Sequence, residues 1–152
     1  MAKAKLARGL PDLFGALKKI PGCLGVEAAT TESGKQVLFA WFRDKQAVLD
    51  WYYGEMHRRI QDNFFPGRPA HTPLKDVPED IGPLMAVASL IMPSGQAAGS
   101  FPFPQISIEL HAPITGGIFI GSRFAPDSFR VPGMIDYTPR PGKATTPSDP
   151  GS

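Results

Sequence analysis

The sequence predicts an α+β fold, with helices on one face of a mainly antiparallel sheet, and three observations carry that prediction. Helical and strand-like periodicities both occur but do not alternate strictly along the chain, which disfavours a parallel sheet built from strand–helix–strand units. Residues 23–31 and 35–43 are two strand-like runs separated by Glu32-Ser33-Gly34, the pattern of an antiparallel hairpin. The second run is apolar on both faces, with Val37, Phe39 and Trp41 on one and Leu38, Ala40 and Phe42 on the other. Helices on one side leave the opposite face bare, so this strand calls for a second layer, either another sheet or a second copy of the chain.

The elements follow in order. Leu10, Leu13, Phe14 and Leu17 repeat at helical spacing between Pro11 and Pro21-Gly22, giving a helix over residues 11–20. The hairpin comes next. Asp44 is a suitable N-cap for a second helix over residues 45–63, whose apolar stripe is Leu49, Tyr52, Met56 and Ile60. Gly54 inside that helix costs about 1 kcal/mol relative to alanine and points to a close contact at that turn. Residues 64–83 carry Pro66, Pro69, Pro73, Pro78 and Pro83 with little periodicity, a long irregular connection of a kind that is uncommon unless functional or disordered. Three strands are expected over residues 84–92, 105–111 and 117–124, the last two as a hairpin, and the loop between the first two displays Phe101 and Phe103 as plugs for an apolar gap. The expected domain is residues 10–125 with the Pro-rich insertion at 64–83, and residues 1–9 and 138–152 are expected to be flexible termini.

Composition narrows the function classes. The 152 residues include 16 Lys and Arg against 14 Asp and Glu, a net charge of +2, too small to argue for nucleic acid or an acidic membrane surface as partner. Cys23 is the single cysteine, so no intrachain disulfide or cysteine-based metal site forms, and a reducing, cytoplasmic setting is expected. No run approaches the ~18 apolar residues needed to span a bilayer, and the amino terminus lacks a secretory core. No phosphate loop, nucleophile elbow, HExxH helix or CxxC pair is present.

Candidate site residues cluster on the second helix. His57 lies between its polar and apolar sides, with Tyr53 four residues earlier and Arg58 beside it, and both His57 and Tyr53 are candidates for acid/base chemistry. Trp41, Trp51 and Tyr52 are candidate walls for a flat aromatic ligand, set against the ordinary reading that such aromatics are core. Glu109 and His111 alternate with Ile106, Ile108 and Leu110, so they share a strand face on which Arg123 could join them, as a polar binding constellation or as solvated side chains. No metal site is expected from these residues.

The order Pro21-Gly22-Cys23-Leu24-Gly25-Val26-Glu27, then Val37-Leu38-Phe39-Ala40-Trp41-Phe42, then Asp44-Lys45-Gln46-Ala47 leading to Trp51 and His57, resembles the antibiotic biosynthesis monooxygenase type of domain. The resemblance covers roughly residues 10–60. It implies a ferredoxin-like sandwich that pairs as a homodimeric α/β barrel, with one of the later strands taking the place of the strand that precedes the first helix in that family. It implies a pocket for a small hydrophobic or aromatic molecule and a cofactor-independent monooxygenase, an oxidoreductase in which His57 or a tyrosine moves a proton. The alternatives are a non-catalytic ligand-binding or scaffold barrel, and a haem-binding or haem-degrading relative in which His57 would ligate iron.

Overall fold

A computed structural model describes residues 12–91 and 105–141. Phe101 and Phe103, residues 1–11 and residues 142–152 lie outside the described residues. Helix α1 is Leu13–Lys18, strand β1 Cys23–Thr30, β2 Gln36–Phe42, helix α2 Lys45–Tyr52 and α3 Glu55–Phe64. Strands β3 Leu84–Ile91, β4 Gln105–His111, β5 Ile118–Phe119 and β6 Ile135–Asp136 complete the chain. No helix among the described residues is long and apolar enough to cross a membrane.

The architecture is α+β, as the periodicities predict. Four strands form an antiparallel sheet in the order β1-β2-β3-β4. β3 takes the place beside the hairpin, so a later strand does occupy an inner position of the sheet. The hairpin turn lies at the expected residues: Gly34 adopts φ +87°, and Thr31 and Lys35 close it by a backbone hydrogen bond of 3.0 Å. Asp12 caps α1 by accepting from the Gly15 N–H at 3.0 Å, and Asp44 caps α2 by accepting from the Ala47 N–H at 2.9 Å. The cap bond at Asp44 holds its carboxyl below the usual carboxylate range. The first helix is shorter than the expected 11–20, because Lys19 already acts as its C-cap ahead of the Pro21-Gly22 turn.

Strict alternation along β2 divides the core into two layers. Leu38, Ala40 and Phe42 pack with Leu17, Ala47, Val48 and Leu84 under the helices. On the other face Phe124 meets the rings of Phe39 and Trp41 edge-on at 4.8 and 5.1 Å, and Trp41 is only 1% exposed. The chain that follows β4 provides this cover. Phe129 is buried within it, and Pro126 sits so close to Gly25 that a Cβ there would lie 2.6 Å from the proline ring. The second layer called for by β2 is therefore supplied within one chain, which removes the burial argument for a second copy on that face.

Three expectations are corrected. The helix over 45–63 is two helices, because Tyr53 caps α2 and Gly54, at φ −67° and ψ 155°, starts α3. Its missing Cβ would stand 3.2 Å from the carbonyls of Asp50 and Trp51, so the close contact at Gly54 is with its own backbone. The 105–111/117–124 hairpin does not form: Gly116, Gly117 and Gly121 adopt φ of +115°, +97° and +78°, which interrupts the extended run, and the surviving β5 pairs in parallel with β6. The ordered chain accordingly continues past residue 125, through β6 and the 2.7 Å bond from the Gly121 N–H to Thr138 Oγ1.

Candidate functional site

The helix side of the sheet holds a cavity of about 450 Å³. Its floor explains why it exists. The two central side chains that β3 presents there are Ala86 and Ala88, paired across the sheet with Ala40 and Leu38 on one side and with Leu110 and Ile108 on the other. Such small side chains under a helix layer leave space that the surrounding leucines, isoleucines and aromatics bound but do not fill. The lining is apolar apart from a few groups: Tyr52, His57 and Gln61 come from the two helices, Ser89 from β3 and His71 from the Pro-rich connection.

The break between α2 and α3 places His57. Its Nδ1–H donates to the Tyr52 carbonyl at 3.0 Å, satisfying a helix-terminal acceptor that α2 leaves without an intrahelical partner. Burial pushes the imidazole below its ordinary pKa, assisted by the Arg68 charge and opposed by the Tyr52 carbonyl bond. At neutral pH the ring is uncharged, and the tautomer that donates from Nδ1 carries its lone pair on Nε2. The ring centroid lies 5.6 Å from Trp51 and 5.0 Å from Tyr52, and the Tyr52 hydroxyl is 3.4 Å from His71 Nε2. Trp51, Tyr52, His57 and His71 thus form one aromatic corner with hydrogen-bonding atoms at its edge.

Of the residues expected at the site, His57, Trp51 and Tyr52 come together. Trp41 does not, because strand alternation turns it to the sealed face. Tyr53 is 56% exposed, and the helix break removes it from the one-turn relation to His57. Arg58 is exposed on α3 and does not line the cavity. Glu109 and His111 share a face as expected, 4.0 Å apart, but it is the solvent side of β4, opposite the Ile106, Ile108 and Leu110 that line the cavity. Arg123 instead braces the covering segment, donating to the Phe129 carbonyl at 2.7 Å with its guanidinium 5.8 Å from the centre of the Phe119 ring.

Two residues were not legible as site components. His71, exposed on the Pro-rich connection, borders the cavity; the unusual length of that connection was the available signal. Lys45, 6% exposed, donates at 2.8 Å both to the Val77 carbonyl and to Glu79, pinning that connection where Leu74 and Pro73 roof the cavity. Nothing in the spacing of the sequence marks such a lysine.

Among the described residues no group of three or more His, Cys, Asp and Glu is placed to hold a metal ion. Haem suits the cavity poorly: among the described residues no lysine or arginine lines it to meet two propionates, and the arginine that acts on His57, Arg68, is paired with Asp62 at 3.1 Å. What the arrangement offers is a largely apolar cavity with an uncharged base at one corner. Comparisons with family models, with curated proteins and with solved structures return no match for this chain.

Proposed function

We propose that the chain binds a small, uncharged, hydroxyl-bearing aromatic molecule between its sheet and helices, and that His57 accepts the hydroxyl proton. The observation that carries this reading is a cavity of about 450 Å³, left open by the described residues, at one corner of which the half-buried, neutral imidazole of His57 lies beside Tyr52. A scaffold protein would be expected to fill this interior with side chains. An anionic ligand is disfavoured because among the described residues no lysine or arginine lines the space.

The resemblance of residues 10–60 to antibiotic biosynthesis monooxygenases, with their ferredoxin-like sandwiches, extends this to a reaction. A deprotonated, electron-rich ring passes electrons to dioxygen with no cofactor, converting a ring CH₂ to C=O and releasing one water for each O₂ consumed. The protein's part is to hold the ring, exclude water and move the proton at Nε2 of His57.

The test is calorimetric titration at neutral pH with 2-naphthol, naphthalene and 2-naphthoate. 2-Naphthol is expected to bind about tenfold more tightly than naphthalene, the worth of one hydrogen bond, with naphthoate weakest. His57→Ala is expected to erase the preference for the hydroxyl while naphthalene binding persists. If none of the three binds below millimolar concentration, or if the hydroxyl preference survives in His57→Ala, the reading fails. An oxygen electrode with anthrone tests the reaction separately.

A further inference from the structure

The two edges of the four-stranded sheet are unlike. β1 is blunted: its pairing with β2 slips between Cys23 and Gly25, and Pro126 lies against it. β4 has no such protection. Its seven residues pair with β3 in unbroken register and contain no proline or lysine, and among the described residues its outer edge has no hydrogen-bonding partner. Its cavity-lining side chains are also left at the boundary with water, Ile108 60% and Leu110 40% exposed. The apolar floor of the cavity stops at an open edge.

We infer that the β4 edge pairs antiparallel with the β4 edge of a second copy, around a dyad at Ile108. A two-fold axis perpendicular to the sheet keeps each face on its own side, and the register that pairs all seven residues is centred on Ile108. In that register Ile108 meets the partner's Ile108, and Ile106 meets the partner's Leu110, so the apolar floor continues from one copy into the other. On the outer face Ser107 lies opposite the partner's Glu109, and Gln105 lies opposite the partner's His111. Every cross-strand pair is apolar with apolar or hydrogen-bonding with hydrogen-bonding. Shifting the register by two residues would instead centre the dyad on Ser107 or Glu109, shortening the pairing and, in the latter case, setting the two carboxylates against each other. This edge pairing leaves the face covered by Phe124 untouched, and it does not depend on what the cavity binds.

Sedimentation velocity on the full chain between about 1 and 100 µM tests it. A reversible monomer–dimer equilibrium is expected. Ile108→Lys sets two ammonium groups face to face at the dyad and is expected to leave only monomer. Ser107→Glu opposes the partner's Glu109 at two symmetric positions and is expected to weaken the dimer roughly tenfold, whereas Ser107→Lys strengthens it by a similar factor. Both positions are exposed, and an unchanged circular dichroism spectrum shows that the fold is retained. A monomer throughout the range overturns the inference. So does a dimer indifferent to all three changes, or one in which the two Ser107 variants act with the same sign.

Discussion

The two faces of the sheet are built from similar side chains and come to opposite ends. Under the helices, Leu38, Ala40 and Phe42 face a space that Ala86 and Ala88 fail to fill; on the reverse, Phe124 closes over Phe39 and Trp41 while Pro126 of the same segment lies against Gly25 of β1. The residues of β2 alone do not decide which face carries the cavity. That is decided by what lies opposite: two alanines on the neighbouring strand in one case, an aromatic segment far along the chain in the other. An apolar strand face therefore reports the need for a cover, whereas a cavity reports a mismatch between the cover and the floor.

The largest expected effect is on the sealed face. Trp41→Ala removes a fully buried indole and its contact with Phe124, and is expected to lower stability by about 3–5 kcal/mol. Trp51→Ala, on a half-buried ring already beside open space, is expected to cost about 1–2 kcal/mol while weakening aromatic ligands. Urea denaturation of both variants, with naphthol titration of the folded fraction, measures the contrast. Equal losses of stability would mean that the two faces are packed alike.

How much of this was legible follows from the range of the interactions. The hairpin, the Asp12-proximal helix, the Asp44 cap and strand β4 depend on residues close in sequence, and local patterning found them. The break at Gly54 was marked by the glycine, but a helical stripe continuing through Met56 and Ile60 argues for an unbroken helix, so the sequence weighed the wrong way. The sealing of Trp41 depends on Phe124, more than eighty residues later, and no periodicity links the two positions. The same holds for His71 and Tyr52, and for Lys45 and Val77: side chains joined across long separations leave no local mark. Helical spacing puts His57 at the border of a pocket, but its hydrogen-bond partner, the Tyr52 carbonyl freed by the helix break, cannot be read from the spacing of an unbroken helix.

Filling the cavity sharpens the comparison at smaller cost. Ala88→Leu projects three more carbons from the floor into the open space between sheet and helices that Ala88 lines. Its stability is expected to be unchanged or raised by up to about 1 kcal/mol, as cavity-filling changes commonly do. Naphthol binding is expected to disappear. Thermal denaturation together with calorimetry checks both parts, and a marked loss of stability would show that the floor is already filled as tightly as the reverse face.

The smallest effect is a pH dependence confined to the cavity side. His57 titrates below its ordinary value of about 6.5 because its charged form is disfavoured by burial and by Arg68. The unfolded chain therefore takes up a proton at a pH where the folded chain does not. It follows that the contribution of His57 is complete above about 6.5 and is lost as pH falls through the folded value. Wild-type protein is expected to lose stability between pH 7.5 and pH 5 faster than His57→Gln, whose amide holds no titrating proton but can still donate toward the Tyr52 carbonyl. A ligand hydroxyl bonded to Nε2 depends on the same neutral ring, so naphthol affinity in the wild type should fall over the same interval and stay flat in the variant. Parallel stability curves for the two proteins would show that burial does not hold the His57 imidazole below its ordinary value, and that His57 is not the desolvated base proposed for the cavity.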